Sequence, residues 1–267
     1  MSLRLKPTLR DALAATSAPL AGIWVCSGSS LVAEIVAGSG IDWLLIDQEH
    51  GPNDLASTLA QLQAVAAYPV TPVVRVPSAD AVVIKQVLDL GAQNLLVPMI
   101  SSAAEAEAVV RAVRYPPRGV RGVGSALARS ARWNRVDEYL LEADRHVALF
   151  VQIETAAGVA EAAAIAAVDG VDGVFVGPSD LAASMGLLGN QTHPDVVDAV
   201  KRTFEATRRM GKPVGVNAFD IAVAEAYLNA GATFILVGAD VALLARSTET
   251  LVGQYAIHTP SNERESY

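Results

Sequence analysis

The chain has 267 residues, 52% of them hydrophobic, and a formal net charge of −8. That length suits a single (β/α)8 domain, and the apolar content is ample for a large core, which excludes a disordered chain. The acidic balance argues against a nucleic-acid partner, and a single cysteine, Cys26, rules out an intrachain disulfide and fits a reducing cytoplasm.

The N-terminal stretch MSLRLKPTLRDALAA lacks a long apolar segment, so no signal peptide is expected. No apolar run approaches the roughly 18 residues a membrane helix needs, so no membrane partner is expected either. Short, apolar, β-branched runs then alternate with helical ones. The first strand is expected at 21–26 (AGIWVC), with Cys26 as a buried structural thiol. The second is expected at 43–47 (WLLID), within the run WLLIDQEH, which ends in Asp47, Glu49 and His50. A helical stretch, DLASTLAQLQAVAA, leads to a third strand at 72–76 (PVVRV) that carries Arg75. Asp80, Ser101 and Asp220 stand where helix N-caps are expected. The fourth strand is expected at 94–98 (NLLVP). Residues 115–146 then break the rhythm with a long segment holding Arg118, Arg121, Arg129, Arg132 and Arg135, read as an insertion at the reactive rim. Strands follow at 147–153, 173–177, 213–217 and 233–237, and the residues after Ile257 read as a polar tail, giving one barrel domain over 1–256. Eight strands alternating with helices predict an α/β fold, a closed (β/α)8 TIM barrel. The alternative is an open doubly wound sheet, but no G-x-G-x-x-G follows the first strand.

In such barrels the chemistry sits at the C-terminal ends of the strands. Two apolar runs end there in single acids, VALFVQIE at Glu154 and DGVFVGPSD at Asp180. Hard oxygen donors without a cysteine cluster suit Mg2+ or Mn2+; the competing reading is that both acids cap loops or pair with arginines. Ser179 reads as an N-cap with Asp180 in the first helical turn, where free N–H groups favour an anion; the competing reading is a plain capped turn. His50, three residues past Asp47, reads as a general base held by that acid, with Glu49 either beside the site or merely solvated. Arg75, inside an apolar run, needs a partner; its fork suits a carboxylate or an enolate oxygen, or else a structural salt bridge. His146, His193 and His258 end no such strand and read as structural. The four lysines, Lys6, Lys85, Lys201 and Lys212, lie away from the expected rim, which argues against imine chemistry.

These residues resemble a known family. The segments DWLLIDQEHGPND, VVRV, LLVPM, RYPPRGVRGVGSALARSARWN, VQIET, GVDGVFVGPSDLAASMG and VGAD are similar to those of the HpcH/HpaI class II pyruvate aldolases, over about residues 9–253. The resemblance implies a barrel whose last helix is swapped between subunits of a homohexamer, a dimer of trimers. It implies a divalent ion (Mg2+, Mn2+ or Co2+) held by Glu154 and Asp180 and chelated by a small-molecule 2-oxo acid. Gln152, Gly177, Pro178, Ser179 and Trp24 would line the substrate pocket. Arg75 would stabilise an enolate, and His50, oriented by Asp47, would handle the proton of the aldehyde-side hydroxyl. The implied reaction is reversible cleavage of 4-hydroxy-2-oxo acids to pyruvate and an aldehyde. The alternatives are a CoA-ester lyase or an oxaloacetate decarboxylase using the same site. Gln48 and the polar strand-7 stretch GKPVGVNAFD depart from the family pattern, so the aldehyde is left open.

Overall fold

The structure, a computed structural model, describes residues 3–255. Its strands are β1 Leu20–Val25, β2 Trp43–Asp47, β3 Thr71–Arg75, β4 Asn94–Val97, β5 Ala148–Ile153, β6 Gly173–Val176, β7 Val214–Asn217 and β8 Phe234–Ala239. They pair in sequence order, all in parallel, and β8 returns to β1, so the sheet is a closed barrel and not an open doubly wound sheet. Each strand falls within two residues of its expected place. The helices are α1 Leu9–Ala14, α2 Ser30–Ala37, α3 Leu55–Ala64, α4 Ala81–Asp89, α5 Ala103–Val113, α6 Tyr139–Glu142, α7 Ala156–Ala160, α8 Ala162–Ala167, α9 Pro178–Ser184, α10 Pro194–Arg209, α11 Ile221–Asn229 and α12 Asp240–Tyr255.

Side chains alternate across each strand, and the barrel sorts them into two cores. Leu44, Ile46, Val74, Leu95, Val151 and Val174 belong to the outer core beneath the helices. Trp24, Leu45, Val73, Phe150, Phe175 and Phe234 belong to the inner one. The ring of Phe234 meets Trp43 and Phe150 edge-on, with centroids 5.7 and 5.3 Å away, and lies 6.0 Å from Phe175. These rings plug the interior. One alternation further along the same strands come Asp47 after Leu45, Arg75 after Val73, Gln152 after Phe150 and Gly177 after Phe175. The polar layer is therefore stacked directly on the aromatic plug.

Asp80 and Asp220 cap α4 and α11 as expected, accepting from Val83 and Val223 N–H at 3.0 Å each. Two other caps are corrected. Ser102, not Ser101, caps α5, while Ser101 Oγ lies 2.7 Å from Thr155 Oγ1. Gly177, not Ser179, is the N-cap of α9, because Pro178, which has no N–H to satisfy, takes the first helical position.

The arginine-rich segment is also relocated. It follows α5 and leads into β5, so it lies at the N-terminal ends of the strands, opposite the reactive rim. Its small core comprises Tyr115, Ala131, Val136, Tyr139 and Ala143. Arg121, fully buried, stacks over Tyr115 at 4.5 Å and pairs with Asp89 at 3.4 Å. Cys26 is half-buried, not buried: it stands one residue past β1, where the barrel opens. His146 stacks on Tyr139, and His193 accepts from Asp195 N–H at the start of α10, both structural roles. His258 and the polar tail lie outside the described residues.

α12 is unlike the other helices. Asp240 is its only buried residue, whereas Val241, Leu243, Leu244, Leu251, Val252 and Tyr255 are exposed, as is Val237 on β8. Among the described residues no helix is long and apolar enough to cross a membrane.

Candidate active site

The site begins with Arg75, which is 5% exposed. Its Nε and Nη2 donate to the two oxygens of the buried Asp47 carboxylate, each at 2.8 Å, and Nη1 lies 2.7 Å from Glu49 Oε2. β2 and β3 pair with Asp47 directly opposite Arg75, so the sheet register itself sets this fork-to-fork contact. Burial pulls the guanidinium down, but the hydrogen bonds and charge of Asp47, then Glu49, outweigh it and raise the arginine above its ordinary value. The Trp24 ring covers the guanidinium at 4.2 Å, and its indole N–H donates to Asn217 Oδ1 at 2.8 Å.

Glu154, 2% exposed, continues β5 by one residue. Oε1 accepts from Met99 N–H at 2.7 Å and Oε2 accepts from Gln152 Nε2. Burial pushes this carboxyl up to about 7 against both hydrogen bonds, and the charges of Glu49 and Asp180 add to the rise. Glu49 is likewise raised, first by burial, with Arg75 opposing and Asp47 and Asp180 adding. Gln152 Oε1 is buried and has no hydrogen-bond partner among the described residues. Gly177 makes room for this pair, since a Cβ there would sit 2.7 Å from Glu154 Oε2 and 3.0 Å from Gln152 Nε2. Ser179 and Asp180 are exposed in the first turn of α9, at the edge of the same charge cluster, and Ser179 Oγ donates to Gln191 Oε1 at 2.6 Å. Buried oxygen donors, mutually repelling carboxylates and an orphaned amide oxygen fit a hard divalent cation, which would neutralise the cluster.

The structure therefore gathers Trp24, Asp47, Glu49, Arg75, Gln152, Glu154 and Gly177 into one layer, with Pro178, Ser179 and Asp180 beside it. No hydrogen bond or ion pair joins His50 to Asp47 among the described residues. Arg75 donates to both Asp47 oxygens, Oδ1 also accepts from Glu49 N–H at 3.0 Å, and His50 is exposed at the barrel mouth with no hydrogen bond or ion pair to any described residue. Its loop is fixed by Asn53 Nδ2, which donates to Asp47 O at 2.7 Å. Gln48 Nε2 donates to Thr58 Oγ1 on α3 at 2.8 Å. A cavity of about 760 Å³ opens to the side of the carboxylates, lined by Pro178, Ser179, Asn217, Phe219, Leu243 and Arg246 among others.

Three contributors were given no role by the sequence, although Met99 and Asp240 close the segments LLVPM and VGAD. Met99 has φ +59, strained for a side-chain-bearing residue, and this turns its N–H onto Glu154. Asn217 holds Trp24; its place at the end of a strand-7 run is its only mark. Asp240 accepts from the N–H groups of Cys26, Ser27 and Val241 at 2.8, 3.1 and 2.8 Å and pins the end of β1. Cys26 is pushed up to about 12, first by burial and then by the charges of Asp47 and Asp240, so it stays a thiol.

A closed parallel barrel carrying buried acids, an arginine and a histidine at the C-terminal ends of its strands has the layout of a barrel enzyme. A family model for HpcH/HpaI aldolase/citrate lyase matches residues 20–247, and the chain belongs to that family of carbon–carbon lyases. It is 52% identical over 245 residues to a hydroxypyruvate/pyruvate aldolase of Pseudomonas aeruginosa, covering 92% of this chain and 91% of the relative. It is 50% identical over 251 residues to a 4-hydroxy-2-oxo-heptane-1,7-dioate aldolase of Salmonella arizonae, covering 94% and 95%. The crystal structure of a family protein from Burkholderia cenocepacia J2315 superposes with a TM-score of 0.89 at 43% identity, covering 92% of this chain and 98% of that one.

Proposed function

We propose that the chain is a divalent-metal-dependent aldolase that cleaves 4-hydroxy-2-oxo acids reversibly to pyruvate, or a close 2-oxo acid, and an aldehyde, in the cytoplasm. The observation that carries this reading is the buried Glu154, pushed up to about 7 beside other carboxylates and the unpartnered Gln152 Oε1. Glu154 and Asp180 would hold the ion, Mg2+, Mn2+ or Co2+, which supplies Lewis-acid polarisation of the keto oxygen. Two relatives at 50% identity or more are named aldolases, which supports this reading over a CoA-ester lyase or oxaloacetate decarboxylase.

The protein's own groups have separate tasks. The Gln152 amide and the first-turn N–H groups around Ser179 and Asp180 receive the 2-oxo acid's oxygens, with Pro178 and Gly177 keeping the backbone close. His50, free at the mouth, takes the proton of the C4 hydroxyl as the C3–C4 bond breaks and the aldehyde leaves. Arg75 stabilises the charge that builds on the C2 oxygen. Asp47 aims Arg75, with Trp24 closing the guanidinium's open face. A proton delivered to C3 then completes pyruvate.

The partly unburied α12 and the exposed Val237 support exchange of that helix between copies in a homohexamer, a dimer of trimers. The test of the site separates two roles. His50→Ala should cut cleavage by roughly 10²–10⁴-fold and leave metal affinity unchanged in calorimetry. Glu154→Ala should abolish metal binding together with deuterium exchange into the pyruvate methyl, followed by NMR. Loss of metal in His50→Ala, or native exchange in Glu154→Ala, overturns the assignment.

A further inference from the structure

At the opposite, N-terminal face of the barrel lies a second cavity of about 760 Å³, bounded by the arginine-rich segment, the chain before α1 and the turn after α4. Four cationic side chains line it, Arg4, Lys6, Arg129 and Arg132, against a single carboxylate, Asp11. That carboxylate is already committed, because Asp11 Oδ2 accepts from both the N–H and the hydroxyl of Thr8, each at 2.8 Å, to cap α1.

Arg129 and Arg132 are half-buried and meet no carboxylate among the described residues. Their contacts are to backbone carbonyls: Arg129 Nη1 donates to Leu90 O at 2.9 Å and Arg132 Nη1 to Arg129 O at 2.5 Å. Most of the donors of each guanidinium therefore remain unspent. The two groups converge. A Cβ placed on Gly91, itself at φ +92, would meet Arg129 Nη1 at 2.8 Å and Arg132 Nη1 at 2.9 Å. The glycine thus leaves open the space in which two like charges stand side by side. Both guanidiniums are lowered, first by burial, and for Arg129 also by the charge of Arg132. Half-buried cations without a counter-charge are costly, and an oxyanion between them offsets that cost and screens their mutual repulsion. The protein as a whole is acidic, so this cationic pocket stands against the general charge.

We propose that the N-terminal cavity is an anion site in which Arg129 and Arg132 grip the phosphate or carboxylate group of a small acidic metabolite, with Arg4 and Lys6 at its rim. The site is remote from the reactive rim, and its occupant is not the substrate.

The test uses the intact, metal-free protein titrated with inorganic phosphate and, separately, with succinate, at ionic strength matched with sodium chloride. Calorimetry should give saturable binding of one anion per subunit for at least one of the two. Tighter phosphate binding identifies a phosphate-bearing occupant, and tighter succinate binding a carboxylate. Arg132→Gln should weaken the preferred anion by about tenfold or more, the worth of a charge-assisted hydrogen bond, while leaving metal affinity and aldol turnover unchanged. Arg4→Gln, at an exposed position, should weaken it less and serves if Arg132→Gln folds poorly. The proposal fails if neither anion binds beyond the chloride control, or if both variants bind as the parent does.

Discussion

Replacing Glu154 by glutamine should stabilise the metal-free protein while removing its activity. The carboxyl is raised from an ordinary 4.5 to about 7, chiefly by burial. A raised carboxyl favours the folded state while it is protonated and penalises it once ionised. The stability it contributes is whole below about pH 4.5, is lost as pH rises towards 7, and is gone above. At about pH 8 the ionised side chain costs on the order of 3 kcal/mol, from 1.36 kcal/mol per pKa unit. Glutamine escapes that cost without stranding its neighbours. Met99 N–H keeps an oxygen to donate to, and Gln152 can turn its unpartnered Oε1 to accept from the new amide. Thermal melts in excess EDTA should show Glu154→Gln melting roughly 5–10 °C above the parent at about pH 8 and level with it at about pH 5. Equal shifts at both pH values, or none at pH 8, would refute the assignment of a strained carboxylate held for a cation.

Asp89→Asn should cost about 3 kcal/mol in chemical denaturation, because it strands the buried Arg121 charge, whereas Arg121→Met should cost less by removing that charge; the reverse order counts against the pairing. Cys26, held protonated by burial and two acids, should react with iodoacetamide at about pH 8 far more slowly than a free thiol, and rapid labelling contradicts this environment. Asn217→Leu leaves the Trp24 indole N–H without its acceptor and should cost about 1–2 kcal/mol while raising KM for the 2-oxo acid; an unchanged KM would show that Trp24 needs no anchor.

The barrel was legible because its strands are buried on both faces and so read as unbroken apolar runs between helical periods. The acids at their tips were legible for the same reason, since a charge that ends a buried run has few places to go but the rim. Partner choice was not. Spacing alone paired Asp47 with His50, and the register of β2 against β3, a property of two distant segments, is what sets Arg75 against that acid. The arginine-rich segment was misplaced because its length was read without its position. Any segment between a helix and the next strand of such a barrel belongs to the opposite face. Met99 escaped notice because its role is carried by a backbone dihedral, which no side-chain pattern encodes.

The aromatic plug beneath the polar layer has a consequence for how this enzyme could change its diet. Phe150, Phe175, Phe234 and Trp43 make a hard floor, and a larger substrate cannot be accommodated by digging down through it. Phe175→Ala would open a dry hole under the site, suited to a xenon atom or a benzene ring and useless to a polar acid. New length in a substrate has to be found upward and sideways, along the cavity past Asn217, Phe219 and Leu243, where side chains can vary without disturbing the layer that performs the chemistry.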